Sequence, residues 1–143
     1  MRIILNIDAE PVAKGRARST KGGIHYTPKK TRDYEAMIRA EAIKSSAEPL
    51  QGPLCLMATF HFAMPKSWSK KKQTEVMADG GIDKTSKPDL DNLVKAVQDG
   101  LNGVLWGDDA QIVEIHAKKR YGERSHIQVA VMPSAVDYVG VCS

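Results

Sequence analysis

Between Lys87 and Gln111 the chain reads Lys-Pro-Asp-Leu-Asp-Asn-Leu and, after a helical stretch, Trp-Gly-Asp-Asp-Ala-Gln, which arrays Asp89, Asp91, Asp108, Asp109 and Lys95 around one amphipathic segment. Clustered carboxylates with a neighbouring lysine are the side chains of a Mg²⁺-dependent phosphodiesterase site. Hard divalent cations take oxygen ligands, and Mg²⁺ is usually held by one or two carboxylates, water and substrate phosphate rather than by a closed protein cage. Asp89, Asp91 and Asp109 are the candidate ligands.

Such ligands need a scaffold that makes them converge. The spacing predicts a helix from about Asp91 to Asn102, broken by Gly103. One stripe carries Leu90, Leu93, Val94, Val97, Leu101 and Val104, the pattern of a face turned to a core. The opposite stripe carries Asp91, Lys95, Gln98 and Asn102. Residues two apart in a helix point to nearly opposite sides, so Asp89 must sit in the preceding turn, where Pro88 restricts Lys87 to an extended conformation. Asp89 and Asp91 then converge at the helix N-terminus, and a third carboxylate comes from the loop Gly107-Asp108-Asp109, either aspartate of which could point inward. Each piece has an ordinary structural explanation. Ser86 to Asp89 fits a loose capping box, Asp91 and Lys95 an i,i+4 pair, and Gly-Asp-Asp a turn. Together they crowd like charges at one helix end, where the dipole relieves only about 0.3–1 kcal/mol per charge. A bound cation accounts for them better. Asp99 and Asn102 are candidates to support the site from behind.

The run Lys87-Pro-Asp-Leu-Asp-Asn-Leu-x-Lys-x-x-x-Asp99-Gly-Leu-Asn-Gly, followed by Trp-Gly-Asp-Asp-Ala-Gln-Ile-Val and a basic strand, resembles the RusA family of Holliday junction resolvases, especially its phage-type members. The match is dense from residue 87 to about residue 121, and Arg16-x-Arg18 and Tyr26-Thr-Pro-Lys-Lys also resemble those members. The stretch from Pro65 to Ser86 is longer than in the compact ones. The resemblance implies metal-binding catalytic aspartates at Asp89, Asp91 and Asp109 and a catalytic lysine at Lys95. It also implies a homodimer that cuts four-way DNA junctions, a branched DNA substrate, with Mg²⁺ or Mn²⁺.

At 143 residues the chain is expected to form one domain, residues 1–143, with a single adequate core. No run approaches a membrane span, and Met1-Arg-Ile-Ile-Leu-Asn is followed at once by Asp8 and Glu10, which reads as no signal peptide; a cytoplasmic protein is expected. Cys55 and Cys142 offer no disulfide framework or zinc spacing, and the histidines are scattered at 25, 61, 116 and 126. A net charge of +4 is modest, so distribution matters more than the sum. Lys14, Arg16, Arg18, Lys21, Lys29, Lys30 and Arg32 fall in a window without acids, the candidate phosphate-facing surface, made flexible by Gly15, Gly22 and Gly23. Lys118, Lys119 and Arg120 follow Asp109 along a strand and could track the backbone beside the metal. Lys66, Lys70, Lys71 and Lys72 surround Trp68, which either stacks on a base or packs a loop.

The remaining elements follow from periodicity. Alternation predicts a strand at Ile3 to Ile7 and a central strand at Leu54 to Ala63 with Leu56, Ala58, Phe60 and Phe62 on one face. Thr27-Pro28 reads as a helix start for a stripe of Tyr34, Met37, Ile38 and Ala42. Ser67 to about Asp79 is a short polar helix or ordered loop. Ile112 to Tyr121 reads as a strand whose Val113, Ile115 and Ala117 face the core, returning as an antiparallel hairpin through Ile127, Val129 and Val131. The apolar tail from Ser134 to Ser143 is expected to dock on the domain or on a second subunit. The order β-α-β-α-β-β predicts a mixed sheet flanked by helices, in the α/β (mixed α+β) class.

Two other functions fit parts of this pattern. A metal-dependent phosphatase or a glycosyltransferase also uses Asp-x-Asp, but there the motif usually follows a hydrophobic strand, whereas Asp89 follows a polar run and opens a helix. A non-catalytic, structure-selective nucleic-acid binder would use the basic loops, but acids near a phosphate-binding face weaken affinity unless a cation sits between.

Overall fold

Ten residues of mostly apolar alternation, Leu54–Ala63, form the middle strand of a five-stranded mixed sheet. The computed structural model describes residues 2–14, 18–19, 22–23, 25–26, 28–45 and 48–134. In chain order the elements are β1 (Ile3–Ile7), β2 (Arg18–Ser19), β3 (His25–Tyr26), α1 (Lys29–Ser45), β4 (Leu54–Ala63), α2 (Lys70–Ala78), β5 (Ile82–Asp83), α3 (Leu90–Leu101), β6 (Ile112–Gly122) and β7 (His126–Pro133). The sheet order is β1-β7-β4-β6-β5, and β2 and β3 pair separately in the basic window.

Leu54, Leu56, Ala58, Phe60 and Phe62 are buried on one face of β4, continuous with Ile127, Val129 and Val131 of β7 and Ile3, Leu5 and Ile7 of β1. Tyr34, Ile38 and Ala42 of α1 and Leu93, Val94, Val97 and Leu101 of α3 complete this core, the stripes that 3.6-residue spacing predicts. The two helices approach closely at Gly100, where an added Cβ would lie 2.9 Å from Ile38 Cγ2 and 3.2 Å from the Glu35 carbonyl. The other sheet face carries Ile4 and Met57, both exposed. Fully buried Trp106 anchors the segment after α3, where the Leu50 amide donates to the Leu105 carbonyl at 2.7 Å.

Three expectations change. β6 and β7 do not form a hairpin: β7 pairs antiparallel with β4, β6 pairs parallel with β4, and the central strand lies between them. Strands are about 4.8 Å apart, so the short link after Gly122 can step across the end of β4, which thereby gains ladder partners on both edges. The apolar side of β6 is core only in part: Ala117 packs against the core, whereas Val113 is 56% and Ile115 45% exposed. Among the described residues only two-residue β5 lies beyond β6, and Val113 falls at a register shift that displaces it from the alternation. Finally, α1 is assigned from Lys29, with Pro28 supplying the carbonyl that accepts from the Arg32 amide; Thr27 and residues 135–143 lie outside the described residues.

Candidate active site

Asp89 is the N-cap of α3, in extended conformation (φ −70°, ψ 140°), so it lies off the helix as the spacing predicts. Its side chain makes no cap hydrogen bond. An N-cap aspartate that bonds the first-turn amides contributes about 0.5–2 kcal/mol, and Asp89 forgoes this. Its Oδ1 accepts from Lys87 Nζ at 2.8 Å, and that contact, with Lys119 adding to it, holds the carboxyl below the usual carboxylate range. Asp91 follows in the first turn, exposed, with Oδ1 accepting the Asn92 amide at 2.9 Å.

The loop before Asp89, which contains a cis Lys87–Pro88 peptide, is tied to β6. Lys119 Nζ donates to the carbonyls of Ser86 and Pro88, each at 2.7 Å. Lys84 Nζ bonds Ser86 Oγ and the Tyr121 hydroxyl at 2.6 and 3.2 Å. Lys119 thus grips the turn that aims Asp89.

Asp108 and Asp109 have different partners. Asp108 caps the single 3-10 turn Asp109–Gln111 in a capping box with Gln111. Asp109 is half-buried, and its Oδ1 accepts from Trp106 Nε1 at 2.8 Å.

Lys95, one turn beyond Asp91, pairs with Asp99 Oδ1 at 3.0 Å. Asp99 also binds Lys14 at 2.9 Å, and Lys14 binds Glu35 at 2.7 Å. Burial pushes the Asp99 carboxyl up, and the hydrogen bonds from Lys14 and Lys95 more than reverse this. Asp91, Lys95 and Gln98 form one wall of a groove of ≈ 680 Å³ whose opposite wall is Ile115 and Ala117 of β6.

Asp89, Asp91 and Asp109 do not form a tight trio. Among the described residues the set of His, Cys, Asp or Glu donors within 4.8 Å of one another is Cys55, Glu114 and His116, at another place on β4 and β6. Asp89 and Asp109 each accept a hydrogen bond from a donor of the chain, Lys87 and Trp106. Each of the three spends Oδ1 in this way, and among the described residues Oδ2 has no partner. Unspent carboxylate oxygens at a helix N-terminus are a donor set that fits a hard divalent cation.

The family model for endodeoxyribonuclease RusA matches residues 8–132. The chain belongs to the RusA endodeoxyribonuclease family. It is 33% identical over 134 residues to uncharacterized protein YqaN of Bacillus subtilis strain 168, covering 90% of this chain and 94% of the relative. It is 30% identical over 119 residues to the crossover junction endodeoxyribonuclease rusA of Lactococcus phage r1t, covering 80% and 82%. As a RusA enzyme it hydrolyses DNA phosphodiesters, which sets aside the phosphatase, glycosyltransferase and non-catalytic alternatives. No described helix is long and apolar enough to cross a membrane.

The basic residues of this RusA chain divide into two kinds. Lys29 and Lys30 are exposed at the start of α1; Lys29 pairs with Asp33 at 2.6 Å on the open surface, a weak tether. Lys30 shares a groove with Phe62 and Pro88, which links the basic window to the Asp89 loop. Lys14 is three-quarters covered and held by two carboxylates, an internal brace. Arg120 binds Asp83 and the Gly81 carbonyl at 2.5 and 2.9 Å. Strand alternation sends Lys118 and Arg120 to the face opposite Lys119, so the three do not line one track. Arg16 and the side chain of Arg18 lie outside the described residues. Trp68 packs edge-on against Tyr121 under Lys72. Sequence reasoning missed Lys119 as a loop anchor and Trp106 as the partner of Asp109. The signal for Lys119 was its parity with Ile115 and Ala117 along β6.

Proposed function

We propose that this RusA enzyme resolves four-way DNA junctions by paired, Mg²⁺-dependent phosphodiester hydrolysis, with Mn²⁺ as a substitute, in cytoplasmic DNA recombination and repair. Asp89, Asp91 and Asp109 hold the cation. The observation that carries this assignment is an N-cap aspartate whose side chain leaves its cap unmade, beside Asp91 and with Oδ2 unspent. A divalent cation held there supplies charge compensation to the scissile phosphate and a more acidic water.

The chain's own groups do the rest. Lys95 projects at the groove wall with Asp91, where its ammonium stabilises charge growing on the phosphorane-like transition state. Asp99 holds Lys95 in that place, Trp106 orients Asp109, and Lys119 fixes the turn bearing Asp89. Lys29 and Lys30, with Arg16 and Arg18, contact phosphates along the DNA arms.

Junction selectivity rests on symmetry. One site nicks any DNA, whereas two sites about a two-fold axis match a four-way junction and favour paired cuts, so we read residues 1–143 as one RusA-like endonuclease domain acting as a homodimer. The similarity to the crossover junction endodeoxyribonuclease of the phage supports the junction as substrate. An immobile four-way junction and a linear duplex of the same sequence, each incubated with and without Mg²⁺, test this. Symmetric cuts in the junction alone are expected. Equal cutting of both substrates, or cutting unchanged by removal of divalent metal, would overturn it.

A further inference from the structure

Cys55, Glu114 and His116 offer a thiol, a carboxylate and an imidazole whose donor atoms all lie within 4.8 Å of one another. The sheet builds this set. Cys55 and Glu114 are direct partners across the parallel β4–β6 pair, and His116 is two residues beyond Glu114, on the same face. All three stand on the sheet face away from α1 and α3, since Leu54 and Leu56 beside Cys55 point into the helical core. The groups are already engaged with one another. His116 Nε2 lies 2.9 Å from Glu114 Oε2, the Cys55 thiol lies within 4.8 Å of both side chains, and Ser134 Oγ donates to Glu114 Oε1 at 3.4 Å. Cys55 is buried while His116 is 58% exposed, so the trio has a closed floor and an open mouth.

We propose that Cys55, Glu114 and His116 form a second metal site, for a borderline-soft divalent cation of the Zn²⁺ class, apart from the all-carboxylate site of Asp89, Asp91 and Asp109. Donor softness separates the two: thiolate and imidazole select Zn²⁺ over Mg²⁺, whereas an all-oxygen set does not. The geometry is within reach. Bonds of about 2.0–2.3 Å around a tetrahedral ion put ligand atoms roughly 3.3–3.8 Å apart; the His116–Glu114 pair at 2.9 Å opens slightly to reach this, and all three donors already lie within 4.8 Å of one another. As the ion binds, the Cys55 S–H proton leaves to solvent, His116 binds through one nitrogen as the neutral ring, and water takes the open fourth position. The Ser134 hydroxyl orients the Glu114 carboxylate from behind, as outer-shell partners of metal ligands do. Bound metal would clamp β4 to β6.

Co²⁺ titrated into the full-length protein in excess Mg²⁺ tests this, because only a thiolate ligand gives sulfur-to-cobalt charge-transfer absorption in the near ultraviolet. One equivalent with that absorption is expected, lost in Cys55→Ser and retained in Cys142→Ser. Zn²⁺ affinity by calorimetry should fall at least about tenfold in His116→Ala, whose exposed side chain makes misfolding no explanation. Zn²⁺ should raise Tm of the unaltered chain and leave Cys55→Ser unchanged. Absence of the charge-transfer band, or a band that survives in Cys55→Ser, would overturn the proposal.

Discussion

The indole Nε1–H of Trp106 donates to Oδ1 of Asp109 at 2.8 Å, and the ring that makes this bond is fully buried. A buried indole has few orientations, so its N–H acts as a fixed strut for a carboxylate at the surface. Asp108, one residue earlier, instead caps the turn with its carboxylate. Trp106→Phe keeps most of the apolar bulk and removes only the donor. The expected loss of cleavage rate is about 10- to 100-fold with junction binding preserved, measured by single-turnover kinetics; an unchanged rate would leave Trp106 a purely packing residue.

Asp89→Asn, Asp91→Asn and Asp109→Asn should each abolish cleavage while junction affinity stays near normal or tightens slightly, since each removes a charge that repels phosphate. Asp108→Asn should keep most activity. Full activity in any two of the first three variants would sink the three-aspartate assignment.

Lys119→Met releases the Ser86 and Pro88 carbonyls. Misplacing a catalytic group by about 1 Å can cost around 10²-fold, and a loss of that order in catalytic rate is expected. A phosphate contact would behave differently, lowering affinity and the salt slope. Lys95→Ala should likewise reduce rate far more than binding.

Asp99 titrates below its ordinary 3.8 in the folded protein, so its stabilising ion pairs are fully present above that value and are lost as pH falls below it. Asp99→Asn should therefore flatten the acid limb of stability against pH. At neutral pH it should cost about 1–3 kcal/mol by denaturant unfolding. It also frees Lys95, so the catalytic rate should drop with it.

Neutralising Arg16, Arg18, Lys29 and Lys30 together should reduce the slope of log affinity against log salt by roughly 3 to 4, at about 0.9 per phosphate contact. Lys14→Met should instead lower stability with little change in slope, because its ammonium is committed to Glu35 and Asp99. An unchanged slope in the quadruple variant would show that the segment is only a solvated loop.

Gly100→Ala brings a methyl group to 2.9 Å from Ile38 Cγ2, beside the Glu35 carbonyl. Overpacking of this kind costs about 1–3 kcal/mol, which a lowered Tm would register. Gly100 was not legible as a packing residue, because a glycine in a helical pattern does not name the neighbour that requires it.

Local periodicity by itself determined β4 and its buried face, the apolar stripe of α3, and the placement of Asp89 off the helix two residues before Asp91. Such features depend on residues a few positions apart, so the chain carries them without knowing its partners. Tertiary structure alone decided which strands flank β4, because alternation says which residues share a face and never which strand lies beside it. For the same reason Ile115 has core parity but no cover, and Lys14 sits in a basic run yet braces two carboxylates from distant helices. Cys55 and His116 showed no metal-ligand spacing along the chain, since the pairing that joins them spans β4 and β6. Long-range pairing energies, which depend on what each group meets after the chain closes on itself, set all of these.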